Sequence, residues 1–416
     1  MKVELYLKTL KRLPVEAWYF ALVVLINRIG AMVVPFLSKY LHDERDFSLP
    51  EIGWILVFFG IGSFLGILMS GRIIEQFGAY KVMVSALLIN GIILFLLQFL
   101  YSFWLLCIGV LVLTFFADMV RPSMSVLIND YVTKPERVKA MSLIRSMSNF
   151  GFVVSPFLAI AIINFWSYQY LFVIDGITSI LAVILFTWKV KQKKLLYQLK
   201  FKNLDEDKFP FLKDSTFLLH CFVNIITGIV FFQLFTIFPI YQKEVLKLDD
   251  FYSGLFLSLY GLILFVFEVY LVFYFQMKRI KKLQAVLYGL TFITLGYLAL
   301  ALSQSIFALF LFIILISIGV IFNFPFASDF ALDRAHKNKE GIFMAIFQLS
   351  FSVSHIFSAK VGMLVVDTYG FRANWFLDVA LGLLAISINF YLVKHMLKER
   401  RKIKEDMIKS IFKPKD

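Results

Sequence analysis

Long apolar runs separated by short polar turns dominate the pattern of hydrophobic and polar positions along this chain. A helix needs about 20 apolar residues to cross a bilayer. We identify twelve such runs, at approximately 16–40, 51–74, 81–101, 104–129, 139–165, 168–189, 215–241, 251–275, 283–302, 306–331, 341–366 and 372–394. The turns between them are short, as in "HDERDFS" and "DTYGFR". The pattern predicts an all-α polytopic membrane protein with twelve transmembrane helices.

Composition supports the membrane assignment and excludes several function classes. The 416 residues are 60% hydrophobic and only 17% charged, whereas soluble domains are about 25% charged. We find no phosphate-binding loop, no cluster with metal-ligand spacing and no nucleophile motif. We therefore predict that the protein is not an enzyme, binds no metal and needs no cofactor, with a proton gradient as its energy source.

The net charge of +14 arises from an uneven distribution of lysine and arginine. With the N-terminus in the cytoplasm, 33 of the 42 basic residues fall in the tails and loops on that side. This asymmetry follows the positive-inside rule, so the basic excess indicates orientation and not nucleic-acid binding. We predict a multi-pass protein of the plasma membrane, of the bacterial inner-membrane type, with both termini cytoplasmic.

The chain contains an internal repeat. Residues 121–155 align without gaps on residues 324–358 at an offset of 203, and Gly53 and Gly60 match Gly254 and Gly261 at an offset of 201. Parallel repeats of six helices are a known architecture of secondary transporters. We predict two pseudo-symmetric six-helix bundles at 1–189 and 214–396, a cytoplasmic linker at 190–213 and a cytoplasmic tail at 397–416.

Three motifs carry a resemblance to a known family. The loop "GRIIEQFGAYK" supplies Gly71, Gly78 and Lys81, with Glu75 where an aspartate is usual; "GFVVSPFLA" contains Pro156, and "RPSMSVLIND" lies in span four. The chain resembles the major facilitator superfamily over almost its whole length, and most of all its drug:proton antiporter branch. The resemblance implies a cavity between the halves, lined by spans one, four, seven and ten.

Two charged residues lie inside the apolar fourth span. Asp118 and Arg121 each cost about 2.5–3.5 kcal/mol at the centre of a membrane helix, and with Thr114 and Ser125 they have the spacing of one helical face. Such a face is tolerated where it lines a water-filled cavity. We predict that Asp118 pairs with Arg28 of span one and carries the coupled proton. A static pair that holds the bundle together is the alternative.

A second charge pair is predicted between spans five and eight. Arg145 and Glu268 share a depth near the cytoplasmic side, and the resemblance packs these two spans across the interface between the bundles. We interpret them as a cytoplasmic latch that closes when the cavity opens outward, with Glu268 as a second candidate proton carrier. Two unrelated polar residues in separate cavities remain the alternative.

Further residues are candidates for the cavity wall or the gates. Amide and aromatic side chains suited to an amphiphilic ligand lie on the cavity-lining spans and on span five. The cavity candidates are Asn27, Thr114, Arg121, Ser125, Asn149, Asn224, Phe231 and Phe235, and the gate candidates are Arg145, Glu268, Gly71, Glu75, Gly78, Lys81 and Pro156.

The sequence therefore predicts a proton-coupled secondary transporter that works by alternating access. The preferred function is export of hydrophobic or amphiphilic small molecules, as in multidrug proton antiport. The alternatives are a proton symporter that imports peptide, sugar or another nutrient, a lysolipid flippase, and a membrane sensor or scaffold. The predicted partners are a small-molecule substrate, protons and the lipid bilayer, with no nucleic acid, and the protein is expected to be a monomer.

Overall fold

The computed structural model describes residues 13–192, 210–278, 280–335 and 340–411. Twelve helices within these residues are long and apolar enough to cross a membrane. They are span 1 (Val15–Gly30 and Val33–Asp43), span 2 (Leu49–Phe77), span 3 (Ala79–Leu97), span 4 (Phe103–Ala117 and Val120–Tyr131), span 5 (Lys134–Phe165), span 6 (Gln169–Lys189), span 7 (Ser215–Thr236), span 8 (Asp250–Met277), span 9 (Lys282–Leu302), span 10 (Ile306–Arg334), span 11 (Glu340–Tyr369) and span 12 (Phe371–Ile411). A short helix, Phe238–Glu244, follows span 7, and a 3₁₀ turn, Pro210–Lys213, precedes it.

The spans form two six-helix bundles that contact each other mainly along two helix pairs. Span 5 packs on span 8, and span 2 packs on span 11. Span 8 is the repeat counterpart of span 2 and span 11 that of span 5, so the two contacts are equivalent. An even number of spans brings both ends of the chain to one side, which we call the terminal face; the opposite side is the distal face. The predicted all-α fold with twelve spans in two pseudo-symmetric bundles is confirmed.

The hydrophobic core differs between the two faces. In the distal half, one core cluster joins both bundles and includes Phe36 and Tyr40 of span 1 together with Leu234 and Phe256 of spans 7 and 8. In the terminal half each bundle has its own cluster, one built around residues such as Phe20 and the other around residues such as Phe217. The bundles are therefore packed together at the distal face and have separate cores toward the terminal face.

Prolines explain why spans 1 and 4 are broken and not continuous as the hydropathy pattern suggests. Proline cannot donate a hydrogen bond to the carbonyl four residues earlier, and its ring clashes with that carbonyl. Pro35 leaves the carbonyl of Ala31 without its helical partner, and span 1 is interrupted between Gly30 and Val33. Pro122 does the same to Asp118, and span 4 is interrupted there. The interruption follows Asp118, so Thr114 and Asp118 belong to one helix and Arg121 and Ser125 to the next; their predicted common face stays a prediction.

Hydroxyl groups from other spans pair with some of the freed carbonyls. Ser155 of span 5 donates to the carbonyl of Ala31 at 3.0 Å. Pro239 frees the carbonyl of Phe235 at the end of span 7, and Ser38 of span 1 donates to it across the interface at 3.4 Å. The helix breaks are therefore stabilised by hydrogen bonds from serine side chains of other spans.

The ends of several elements differ from the predicted boundaries. Span 5 begins at Lys134, and span 12 continues as a helix to Ile411, well into the predicted tail. Residues 193–209, most of the predicted linker, lie outside the described residues. The proposed domain boundaries stay predictions.

Candidate functional site

Four charged residues cluster at mid-depth in the first bundle. The charges that act on Arg28 are those of Arg121, Asp118 and Asp175. Arg28 lies in the last turn before the break in span 1, and Gly151 of span 5 packs on it so closely that a Cβ atom there would lie 2.5 Å from the Arg28 Cβ. Asp118 lies at the break in span 4. The two helix breaks thus bring this cluster together.

The predicted direct pair between Arg28 and Asp118 is not formed in this conformation. Between described residues, no ion pair within 4.0 Å involves either side chain. Arg121 is exposed and Asp118 half-buried. A charged group at this depth is costly against lipid tails, and the predicted water-filled cavity that would solvate these side chains stays a prediction. Their predicted roles in proton coupling stay predictions.

Asp175 of span 6 is a member of the cluster that sequence reasoning missed. It is 5% exposed, and its carboxylate accepts a hydrogen bond from the backbone N–H of Val33 at 3.4 Å, directly after the break in span 1. Asn27, a predicted cavity residue, instead donates to Ser179 of the same span at 3.2 Å. A carboxylate inside a membrane span is by itself a sign of a functional site. Asp175 could therefore have been predicted from the sequence in the same way as Asp118.

Several predicted cavity residues form internal hydrogen bonds within their own bundle. Thr114 is 3% exposed and donates to the carbonyl of Phe59 on span 2 at 2.9 Å. Ser125 donates to the carbonyl of Arg121 at 3.0 Å. Asn224 is buried and donates to Ser350 of span 11 at 2.5 Å. Thr114 and Asn224 therefore join helices of their own bundle in this conformation, whereas the Ser125 contact lies within its own helix.

Aromatic side chains of the second bundle oppose the charged cluster. Phe231 and Phe235 of span 7 lie 5.5 Å apart between ring centroids, and Phe231 lies 4.9 Å from Phe324 of span 10. Phe235 lies 6.5 Å from Phe152 of the first bundle, and the Arg28 guanidinium lies 5.8 Å from the centre of that Phe152 ring. An aromatic wall and a charged wall therefore meet across the interface, with Phe152 between them.

Arg145 and Glu268 meet at the interface, together with Asn149. The Arg145 Nε lies 3.6 Å from one carboxylate oxygen of Glu268, and Asn149 donates to the other at 2.5 Å. The Glu268 side chain is 10% exposed and that of Arg145 is 51% exposed. This contact coexists with a closed distal face. Its predicted role as a latch that closes only when the cavity opens outward stays a prediction.

The interface around these polar contacts is lined by the repeated glycines. A Cβ atom at Gly60 would lie 2.5 Å from Ile356 of span 11, and one at Gly261 would lie 2.8 Å from the carbonyl oxygen of Phe152 of span 5. A Cβ at Gly254 would lie 2.7 Å from the carbonyl oxygen of Pro156, a predicted gate residue. The repeat at an offset of 201 thus corresponds to the helix crossings between the bundles.

The signature-loop residues lie at the terminal face. Gly71, Glu75 and Lys81 are exposed. Gly78 ends span 2 and precedes span 3 with a φ of 84°, a conformation that glycine adopts without steric cost. For Gly78 the requirement is local backbone geometry; the gating roles of the other three stay predictions.

Ion pairs across the distal face are the largest feature that the sequence reasoning missed. The Lys39 side chain is completely buried, forms an ion pair with Asp250 and donates to Ser253 at 3.3 Å. Lys243 pairs with Asp43 at 2.7 Å, and the His42 Nε2 lies 2.6 Å from a Glu244 oxygen. The sequence feature that could have predicted these pairs is the presence of opposite charges at the corresponding ends of spans 1 and 7.

Comparison with known proteins agrees with this architecture. The sequence matches the Major Facilitator Superfamily profile over residues 20–359. It is 26% identical over 154 residues to the MFS-type transporter YceJ of Bacillus subtilis (strain 168), which covers 36% of this chain and 38% of that protein. It is 24% identical over 232 residues to a Na(+), Li(+), K(+)/H(+) antiporter of Planococcus maritimus, covering 52% of this chain and 54% of that protein. The chain thus spans about half or less of the length of these relatives.

Solved structures share the fold at low sequence identity. The nucleoside transporter NupG is 15% identical with a TM-score of 0.73, covering 91% of this chain and 99% of that one. A POT family transporter in complex with 5-aminolevulinic acid is 13% identical with a TM-score of 0.76, covering 92% and 96%. Because the family profile covers most of the described helices, this membrane-spanning chain belongs to the major facilitator superfamily.

Proposed function

We propose that the protein is a proton-coupled antiporter that exports amphiphilic small molecules by alternating access. The observation that carries this proposal is the cluster of Arg28, Asp118, Arg121 and Asp175 in a pair of bundles whose described residues share a core cluster only at the distal face. From it we infer a cleft between the bundles that opens toward the terminal face. A carboxylate in such a cleft can bind either a proton or a substrate, and binding of one then disfavours the other.

The two walls of the cleft support an amphiphilic substrate. The aromatic wall around Phe231 and Phe235 suits an apolar, ring-containing portion, and the cluster around Asp118 suits a polar or charged portion. Loss of the proton from Asp118 makes the charged wall more negative, which favours a cationic group. For a neutral substrate, each proton that enters down a potential of 100 mV supplies about 2.3 kcal/mol. One-for-one exchange with a monovalent cation moves no net charge and is driven by the pH gradient alone.

The orientation of the chain is part of the proposal. The terminal face carries most of the lysine and arginine residues and is taken as cytoplasmic by the positive-inside rule. The present conformation then faces the cytoplasm, in the plasma membrane. A single chain contains both bundles and the cleft between them, so we propose that the monomer is the working unit.

Proteoliposomes with an imposed pH gradient test this function directly. A pH-sensitive dye reports the gradient while amphiphilic cationic dyes, dipeptides or nucleosides are added in turn to separate samples. The expected result is that the amphiphilic cations collapse the gradient and are themselves accumulated. Accumulation of dipeptide or nucleoside together with protons in the same direction would instead identify a symporter and contradict the proposal.

Exchange of alkali cations for protons is a second candidate. It is favoured by the similarity to the Na(+), Li(+), K(+)/H(+) antiporter of Planococcus maritimus. The same carboxylate competition at Asp118 would serve a small cation. Adding sodium, lithium or potassium salts to the same proteoliposomes distinguishes the two, since only this second function collapses the gradient without any organic substrate.

A further inference from the structure

A second intramembrane carboxylate is completely buried in the other bundle, among amide groups. Asp378 of span 12 is 0% exposed, as is Asn374 one turn before it, and Gln233 of span 7 is 1% exposed. Gln233 donates to one Asp378 oxygen at 2.8 Å, and Asn374 donates to the Gln233 oxygen at 2.5 Å. Asn374 also lies 3.3 Å from the second Asp378 oxygen. The three head groups form a continuous hydrogen-bonded chain that ends on the carboxylate.

Asp378 is the repeat counterpart of Asp175. The two aspartates are separated by 203 residues, the same offset that aligns spans 4 and 5 with spans 10 and 11. Asp175 has the charge of Arg28 nearby and caps a break in span 1. Asp378 has neither. The repeat has thus kept a carboxylate at this position while its surroundings changed from charged to neutral.

The elements packed on Asp378 supply no positive charge. Span 9 contributes Tyr297, whose hydroxyl donates to the carbonyl of Val230 at 2.6 Å. Span 11 contributes Gly362, at which a Cβ atom would lie 3.3 Å from the Gln233 amide nitrogen. The short helix after span 7 contributes Tyr241, which contacts Trp375. Between described residues, no lysine, arginine or histidine acts on Asp378. An ionised carboxylate buried without a cation is costly.

One atom of the chain of amides has no partner. The Asn374 side-chain oxygen is buried and accepts no hydrogen bond from the described residues. An amide can exchange its oxygen and its NH₂ group by a half-turn, since the two ends are of similar size. If both amides turn, the hydrogen bonds run in the opposite direction: the Asp378 hydroxyl donates to the Gln233 oxygen, and the Gln233 NH₂ donates to the Asn374 oxygen, which has no partner in the present arrangement. The weaker 3.3 Å hydrogen bond from Asn374 to the second Asp378 oxygen is given up in this state. With the amide hydrogen bonds in their present direction the site binds an Asp378 carboxylate, and with these bonds reversed it binds an Asp378 carboxylic acid.

We propose that Asp378 is a second proton-binding site, in which Gln233 and Asn374 reverse their hydrogen bonds when the proton binds. The proton adds to a carboxylate oxygen, the negative charge is neutralised, and no other bond is made or broken. A proton fits better than an alkali cation because direct contacts of 2.5–3.3 Å between the head groups leave no space for an ion with several oxygen ligands.

The position of this site connects it to the distal face. Gln233 lies one turn before the break that precedes Phe238–Glu244, and that short helix carries Lys243 and Glu244 of the distal ion pairs. Reversal of the hydrogen bonds at Gln233 therefore acts on the end of span 7 that closes the distal face. This inference rests on the proposed proton-coupled function, but the site itself can be tested without transport.

Infrared difference spectroscopy between acidic and alkaline pH tests the site on the purified full-length protein without substrate. The carbonyl stretch of a buried carboxylic acid is expected at acidic pH and is expected to be lost in Asp378→Asn. Asp367→Asn, at an exposed position on span 11, is the matched control and should keep the band. Gln233→Leu should shift the band to higher frequency, because the acid loses its hydrogen-bond acceptor.

Three results would overturn the proposal. They are a band that is unchanged in a folded Asp378→Asn protein, a band that does not move in Gln233→Leu, and a band abolished by sodium or lithium at constant pH, which would identify a cation site. If Asp378→Asn does not fold, the Gln233→Leu shift decides. A titrating band together with proteoliposomes that exchange nothing would contradict the proposed function and leave the proton site standing.

Discussion

Pro35 and Pro122 each remove the helical partner of a carbonyl four residues earlier, and both positions matter for the charged cluster. The resulting breaks place Arg28 just before one interruption and Asp118 at the other. Thr114 and Asp118 are still joined by a helical backbone hydrogen bond of 3.0 Å, and the break that follows separates them from Arg121 and Ser125, which lie on the next helix. At this scale, the chemistry of a cavity residue depends on the backbone around it as much as on its own side chain.

Neutralising Asp118 is expected to uncouple the transporter from protons. Asp118→Asn keeps the size of the side chain and removes the titratable group. Exchange driven by a pH gradient should fall at least roughly tenfold, since about 1.4 kcal/mol of lost coupling suffices for that factor. Substrate binding in a thermal-shift assay should persist. Asp367→Asn serves as the control, and an Asp118→Asn protein with normal proton-driven exchange would contradict the assignment.

Exchanging the charges of Arg145 and Glu268 tests whether their contact has a function. Glu268 is the more buried partner and Arg145 is half-exposed, so the ion pair contributes no more than about 1 kcal/mol to stability, and Glu268 keeps its hydrogen bond from Asn149 in Arg145→Ala. Either Arg145→Glu or Glu268→Arg alone should reduce transport in proteoliposomes. The double exchange should recover a large part of it, whereas additive losses would show that the two residues act separately.

At the scale of the elements, the repeat is visible in how helices cross. Gly53 and Gly60 of span 2 face span 11, and Gly254 and Gly261 of span 8 face span 5. Each pair allows two helix backbones to approach closely, as small residues do in membrane proteins. Ser155 and its repeat counterpart Ser358 likewise each donate to a carbonyl of the first span of their own bundle. Sequence similarity between the halves therefore reflects shared helix contacts.

Enlarging a crossing glycine should loosen the interface between the bundles. Gly60→Leu and Gly261→Leu insert a side chain where a Cβ alone would lie 2.5 Å and 2.8 Å from the facing helix. Overpacking of this kind costs about 1–3 kcal/mol, so both variants should show a lower free energy of unfolding and slower transport.

Gly341→Leu is the matched control for these variants. Gly341 is exposed near the start of span 11, with nothing within 4 Å of its Cβ position, so stability and transport should be unchanged. If Gly60→Leu and Gly261→Leu behaved in the same way as this control, the crossings would not limit the packing of the bundles.

At the scale of the whole molecule, the two faces are held differently. Ion pairs and one continuous core close the distal face. A depression of about 700 Å³ outside that closure is lined by residues of the same pairs, including His42, Asp43 and Glu244. Between described residues, the polar contacts between the bundles that lie nearest the terminal face are those of Glu268 with Arg145 and Asn149. In the proposed function, this asymmetry corresponds to one of the two states of alternating access.

Crosslinking the distal face should arrest the transport cycle. Asp43→Cys with Lys243→Cys places two thiols where the native side chains meet at 2.7 Å, and a short bismaleimide should join them in this conformation. Transport should then stop, because the distal face can no longer open. Each single cysteine variant is the control, since native Cys107 and Cys221 are both buried. Continued transport after complete crosslinking would exclude opening at this face.

The sequence by itself determined the twelve spans, the division into two repeats and the family, because these depend on run length, periodicity and motif spacing along the chain. It also identified Arg28, Asp118, Arg145 and Glu268, because the cost of a charge at membrane depth is a local property. These features need no knowledge of which helix faces which.

Only the tertiary structure decided which charges meet and which face is closed. The pairing of Lys39 with Asp250, and the amide chain from Asn374 through Gln233 to Asp378, join residues more than a hundred positions apart. Such contacts depend on how the helices pack against each other, and the order of residues along the chain does not specify which distant side chains that packing brings together.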